Sequence, residues 1–135
     1  MLSDWSSSAA TTKFTDPKWY TGEQHDAVGD VYIYSRRIRW FFGVHHYIAV
    51  SGIDARWRVY EWTDFGWDFY ACDRIHGKKC LSLGRHKLSD VYRAAKAATE
   101  GSRYSTFYNC NHWTERAAAH LGYVISVYWN CDCTF

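Results

Sequence analysis

Cys110 is the residue of this sequence best suited to act as a nucleophile. It lies in residues 108–113, where a helix is predicted to begin. At a helix N-terminus, unpaired backbone N–H groups and the helix dipole favour a thiolate, which lowers the pKa of a cysteine. The same N–H groups could hold the oxyanion of an acyl-transfer intermediate. This position therefore predicts chemistry in which a thiolate attacks a carbonyl carbon.

His46 is the predicted base, because a thiol nucleophile needs one. In a strand over residues 44–50, His46 shares one face with Ile48 and Val50. That face is apolar, so we expect it to point at the helices. His45 lies on the opposite face, and the alternation therefore favours His46 over His45.

Glu61 is predicted to orient the base, because a catalytic histidine needs an acceptor on its second ring nitrogen. It is a charged residue within an apolar and aromatic run on the next predicted strand, residues 56–62. A charge in such a run lies either on an exposed face or in a functional site. Arg58 and Tyr60 alternate with Glu61, so the pattern leaves its face undecided.

Each of these three residues also has a purely structural interpretation. A cysteine near a helix start is usually a small buried apolar residue. A histidine on an apolar strand face is more often a hydrogen-bonded core residue, and a strand glutamate is more often solvated. The residue types alone therefore leave catalysis open.

The elements that position these residues are predicted to follow one order along the chain, with strands in the first half and helices in the second. Antiparallel strands are predicted over three β-prone segments, residues 31–34, 44–50 and 56–62. Two helices are predicted next, one with its N-cap at Ser89 and its end before Gly101, the other from about residue 109 to 121, and then a last strand over residues 123–129. This order predicts an α+β fold, with helices packed on one side of an antiparallel sheet.

The length of 135 residues predicts one domain. We expect residues 1–24 to be a polar, partly mobile lead-in and residues 25–135 to be the domain. The 8 Trp, 11 Tyr and 7 Phe exceed what such a core normally needs, so some are expected to line a groove or a partner surface. Trp40, Tyr47 and Trp113 flank the predicted base and nucleophile and are the candidate binding residues.

Charge and composition exclude several classes of protein. The 47% apolar content excludes a disordered chain, and the net charge of +2 is too small to predict nucleic-acid binding. The basic and aromatic stretch 36–42 could still touch anionic lipid or RNA, although an ordinary strand edge is the favoured interpretation. No apolar run reaches the roughly 18 residues of a membrane span.

The cysteines are predicted to be free thiols in a reducing compartment, which favours the cytoplasm. Five is an odd number, and the spacing shows no disulfide framework. A secreted chain whose signal had been removed would look the same. No Cys-x-x-Cys pair supports a zinc site, so no metal and no cofactor is predicted. The four cysteines outside the predicted site are Cys72, Cys80, Cys131 and Cys133.

The sequence resembles the H-box/NC superfamily, typified by lecithin:retinol acyltransferase and the small phospholipid acyltransferases and phospholipases A. The H-box pattern is carried by residues 29–33, 46–52 and 59–62. The NC pattern is carried by Tyr104-Ser105, by residues 109–113 and by the closing Leu121-Gly122. The resemblance covers residues 29–122, most of the chain.

This resemblance implies a permuted papain-like or NlpC-like fold, with Cys110 as nucleophile and His46 as base. Glu61 falls nearest to the family's third polar residue, which is usually another histidine. His112 matches a position beside the nucleophile, and we expect it to pack or bond near the helix start. The favoured substrate is a lipid ester, with peripheral contact to a membrane.

Two other functions remain open within the resemblance. The segment 35–43 is longer than in the acyltransferases, and the C-terminal membrane helix of many cellular members is missing; both departures argue against a lipid substrate. Some picornaviruses encode small H-box/NC proteins of similar length that are not thought to be proteases. This alternative predicts a non-enzymatic protein that binds host factors in the host cytoplasm. A cysteine peptidase or isopeptidase is the third possibility.

Overall fold

The computed structural model describes residues 26–37, 44–103, 105 and 109–126 of the chain. These residues form a five-stranded antiparallel sheet and two helices, which confirms the predicted α+β class. The elements are β1 (Val28–Arg37), β2 (Val44–Ile53), β3 (Arg56–Thr63), β4 (Gly66–Cys72), β5 (Lys78–Lys87), α1 (Leu88–Thr99) and α2 (Cys110–His120). The predicted lead-in, residues 1–24, lies outside the described residues.

The strand order β4-β3-β2-β1-β5 places the three predicted strands in the middle of the sheet. In β1, fully buried Val31 and Ile33 alternate with half-buried Tyr32 and Tyr34. Such alternation sends successive side chains to opposite faces of a strand. Each inner strand therefore carries a clear sequence signal, because its neighbours on both sides cover its residues.

Both helices lie against one face of the sheet, as the order of elements predicted. The core between them contains Ile33 and Ile48 from the sheet and Ala95 and Ala117 from the helices. The helix α1 begins at Leu88 rather than after Ser89, and its N-cap is Lys87. The reason is that β5 runs directly into α1, and the backbone N–H of Leu88 still bonds the carbonyl of Ala27 at 2.8 Å.

The two edge strands, β4 and β5, were not predicted from the sequence. Both expose polar residues, and β5 begins with Lys78 and Lys79. Charged residues are common on edge strands because they discourage pairing with another chain, and they also weaken the apolar alternation. The predicted last strand is wrong for residues 123–126, which form no strand, and its remaining residues lie outside the described part.

A two-residue turn joins β2 to β3 and sets their register. Ile53 pairs with Arg56 across the turn, and both central residues, Asp54 (φ 47°) and Ala55 (φ 61°), have a left-handed backbone. Both carboxylate oxygens of Asp54 accept hydrogen bonds from the buried Arg58 guanidinium, at 3.0 and 2.8 Å. The hydrogen bonds to Arg58 therefore stabilise the left-handed backbone of Asp54. The methyl side chain of Ala55 cannot form such bonds, so the strain at Ala55 is not offset in this way.

We expect Ala55→Gly to stabilise the protein by about 0.5–1 kcal/mol. Glycine adopts the left-handed backbone without the Cβ clash, and Asp-Gly is a preferred pair in this type of hairpin turn. Chemical denaturation measures the change. Ala97→Gly is the control, since glycine inside a helix should destabilise by a similar amount.

Candidate active site

The helix α2 begins at Cys110, where the sequence predicted a helix start. The Asn109 side chain accepts a hydrogen bond from the N–H of Asn111 at 3.0 Å, and the His112 ring nitrogen accepts one from the N–H of Asn109 at 3.2 Å. Together with the N–H of His112, these bonds form a capping box. The expected structural role of His112 is thus observed.

The capping box also reduces the number of backbone N–H groups that could bind an oxyanion. The Asn109 carboxamide uses the N–H groups of Asn111 and His112, and the Asn109 carbonyl uses that of Trp113. These three N–H groups could meet an oxyanion only by giving up the helix cap. In the first turn, the backbone N–H that these contacts to Asn109 do not use is therefore that of Cys110.

His45 lies between a carboxylate and the predicted nucleophile. Its Nε2 is 2.7 Å from Glu61 Oε1, and both residues are fully buried. Burial lowers the pKa of His45, but hydrogen bonds to Cys110 and Glu61, together with their negative charges, outweigh burial and raise that pKa above 6.5. Since Glu61 engages Nε2, Nδ1 is the ring nitrogen left to take a proton from the Cys110 sulfur.

Glu61 is held on three sides, on the sheet face that carries no helix. Besides His45, its carboxylate accepts hydrogen bonds from the Tyr70 hydroxyl at 2.9 Å and from Arg36 Nη2 at 3.2 Å. Burial raises the pKa of Glu61, but the hydrogen bond and charge of His45 and the charge of Arg36 outweigh it and hold that pKa below 4.5. Glu61 is therefore an ionised acceptor for the imidazole of His45.

His46 lies on the helix-facing side of β2, as alternation predicted. There its Nδ1 bonds the side-chain oxygen of Asn111, and its carbonyl accepts from the Thr114 hydroxyl at 3.5 Å. Glu61 lies on the opposite face of the sheet. The structure therefore brings Glu61 together with His45 and places His46 beside Asn111.

The face of β2 on which a histidine lies does not predict whether it is near Cys110, because Cys110 lies beside the beginning of that strand. The Cys110 sulfur is 4.0 Å from the carbonyl of Val44, the first residue of that strand. A thiol at the end of a strand can reach side chains of either face. The pattern could not assign Glu61 to a face, and in the structure its carboxylate lies against His45.

Two of the three candidate binding residues lie in the interior. Trp113 is fully buried, its ring is stacked 6.4 Å from that of Trp62, and its Nε1 donates to the Thr99 hydroxyl at 2.9 Å. Tyr47 is 2% exposed, and its ring is stacked on that of His45 at 5.8 Å. Trp113 is therefore a core residue rather than a groove wall, Tyr47 packs against His45, and Trp40 lies outside the described residues.

We expect Asn109→Ala to destabilise the protein by about 1 kcal/mol, because it removes the cap of α2. The same change should slow reaction of the Cys110 thiol, since the capping box fixes the turn that holds the sulfur. Thermal unfolding and the alkylation rate of Cys110 are the two measurements. Asn109→Asp is the matched control, because an aspartate restores the cap and should recover the lost stability.

Cys72, Cys80 and Cys110 are free thiols, and Cys131 and Cys133 lie outside the described residues. Within the described ranges, no group of three or more His, Cys, Asp or Glu side chains is arranged to hold a metal ion. Nor does this part of the chain contain a helix long and apolar enough to cross a membrane.

Comparison with known proteins identifies no relative: no protein-family model, no curated protein and no solved structure matches the chain significantly. In the site itself, a buried imidazole contacts a carboxylate, and a thiol at the start of a helix affects the pKa of that imidazole.

Proposed function

We propose that this protein is a thiol-dependent acyltransferase or hydrolase of the H-box/NC type. Cys110 is the nucleophile, His45 is the base and Glu61 orients His45. One observation carries the proposal: the imidazole of His45 lies 2.7 Å from the Glu61 carboxylate, and the Cys110 thiol contributes with Glu61 to raising the pKa of that imidazole. A nucleophile, a base and an orienting third group in contact are the arrangement of a catalytic triad.

The proposed reaction proceeds in two steps. Cys110 gives its proton to His45 Nδ1, and the thiolate attacks the carbonyl carbon of an ester or amide. The resulting imidazolium then protonates the leaving group as the tetrahedral intermediate collapses to a thioester. Water or an amine attacks the thioester, gives its proton to His45 and releases the acyl group. Glu61 stabilises the imidazolium in both steps, and the backbone N–H of Cys110 meets the oxyanion.

A lipid ester is the favoured acyl donor, on the basis of the resemblance to the phospholipid acyltransferases. A cytoplasmic setting fits the proposal, because the mechanism needs a reduced thiol at Cys110. A peptide or isopeptide bond is the rival substrate, since related permuted folds cleave such bonds. No metal ion and no cofactor enters this mechanism.

The second candidate is a non-enzymatic protein that keeps the fold and binds host factors. The burial of Cys110 favours it, because only 3% of this residue is exposed and a nucleophile must be reached by its substrate. On this alternative the contacts among Cys110, His45 and Glu61 serve stability alone.

A thiol-reactive probe separates the two candidates. We expect an electrophilic acyl probe to modify Cys110 of the intact, reduced protein, with mass spectrometry of the digested protein identifying the site. A panel of phospholipid esters, run beside ubiquitin-like conjugates, then assigns the substrate class by release of the acyl group or of the conjugate. Failure of every probe to modify Cys110 would favour the non-enzymatic candidate.

A further inference from the structure

A small cavity adjoins the Glu61 side of the proposed triad. Its volume is about 110 Å³, and its walls include Arg36 and Tyr47 from the inner strands and Tyr70 from β4. Arg74 and His76, in the segment between β4 and β5, form its outer wall. The cavity lies on the helix-free face of the sheet and touches two side chains, Arg36 and Tyr70, that bond Glu61 directly.

The charges of the cavity wall favour an anion. Arg74 is exposed, and within the described part of the chain it forms no ion pair, because the neighbouring Asp73 pairs with Arg56 at 3.4 Å. Arg36 lines the cavity and donates a hydrogen bond from Nη2 to Glu61. The cavity therefore has two guanidinium groups whose donors are only partly used.

Among the described residues, the nearby carboxylates balance the charge of Arg36 but form no ion pair with Arg74. Glu61 is shared among His45, Arg36 and Tyr70. Asp68 lies opposite Glu61 on β4, and burial and the charge of Glu61 raise its pKa. The positive charge of Arg74 at the outer wall is left for a ligand.

We propose that this cavity binds a phosphate group, as a free ion or as the terminal group of a lipid. Guanidinium groups bind tetrahedral anions through paired N–H donors, and two of them match a doubly charged group. The volume of about 110 Å³ matches a group of this size. The Tyr47 hydroxyl already donates to the carbonyl of His76, and the Tyr70 hydroxyl to the carboxylate of Glu61. The arginines are therefore the groups that would recognise the phosphate.

Binding would also affect the proposed triad, and this consequence rests on the proposed function. A phosphate group competes with Glu61 for Arg36 and adds negative charge near His45. Both changes favour the protonated imidazole, so the pKa of His45 should rise further. The reactivity of Cys110 in alkaline solution should then extend to higher pH when phosphate is bound.

The test is calorimetric titration of the whole protein with inorganic phosphate at fixed, low ionic strength. We expect saturable binding by the wild type and a loss of at least about tenfold in affinity for Arg74→Gln. Arg74 is exposed, so this variant should fold normally. Arg93→Gln removes an equally exposed arginine that pairs with Asp90 on α1, and it should bind as the wild type does.

A second arm uses phosphatidylcholine vesicles with and without phosphatidate. A lipid is identified as the source of the group by three results together. The wild type is retained on phosphatidate vesicles, Arg74→Gln is not retained, and neither protein binds free phosphate. Cys110→Ala should bind phosphate normally, so a failed catalytic proposal leaves this test intact. Absence of binding in both arms, or binding that Arg74→Gln does not weaken, would overturn the proposal.

Discussion

Cys110→Ala is expected to abolish modification at the site by an electrophilic acyl probe, and His45→Gln to slow it by about 10²–10⁴-fold. General-base catalysis by a positioned histidine contributes a factor of this size. Glutamine keeps a donor near Glu61 but cannot accept the thiol proton. The measurement is the rate of adduct formation at Cys110, followed by mass spectrometry.

His46→Gln is the matched variant, because the two histidines are neighbours and both are fully buried. We expect it to slow modification by less than about tenfold, since His46 bonds Asn111 rather than Glu61. Cys72→Ser controls for reaction at another thiol, as Cys72 is half-buried. If His46→Gln stopped the reaction and His45→Gln did not, the assignment of the base would return to the residue that alternation favoured.

Glu61→Gln is expected to cost about 3–5 kcal/mol of the free energy of unfolding, which is the usual loss when one partner of a buried ion pair is removed. Glu61 holds Arg36, His45 and Tyr70 together, and glutamine cannot balance the two cationic side chains. Denaturant unfolding measures the change. Glu100→Gln is the control, because Glu100 is exposed just after α1 and should change stability little.

The contribution of the Glu61–His45 pair to the free energy of unfolding should depend on pH in a defined window. The pKa of Glu61 is lowered on folding, so its contribution is present above about pH 4.5 and is lost as pH falls through the folded pKa. The pKa of His45 is raised, so its contribution is present below about pH 6.5 and is lost as pH rises through the folded pKa.

The stability difference between wild type and Glu61→Gln should therefore be greatest between about pH 4.5 and 6.5. Thermal unfolding of both proteins across pH 3–9 measures it. In the same variant, the alkaline limit of Cys110 reactivity should move to lower pH, because His45 loses the carboxylate that raises its pKa. A difference that stayed constant with pH would contradict the coupling of His45 to Glu61.

The inner strands and both helices were predictable from local patterns. Strands β1, β2 and β3 carry alternating or continuous apolar residues, and α2 begins at Cys110 as its surrounding residues indicate. The edge strands were not predictable, because an edge needs few apolar residues and β5 is largely polar. The helix start at Cys110 was predictable because it is a local property of residues 108–113.

The sequence by itself determined the α+β class, the place of Cys110 at a helix start and the candidacy of Glu61. Only the tertiary structure brought Glu61 against His45 and Asn111 against His46, because those contacts depend on which face Glu61 occupies and on where α2 meets β2. It likewise placed Trp113 in the core, where Trp62 and Thr99 satisfy its ring and its N–H. Both outcomes depend on contacts between residues 14 to 66 positions apart, and a pattern read along one strand or helix carries no information about such contacts.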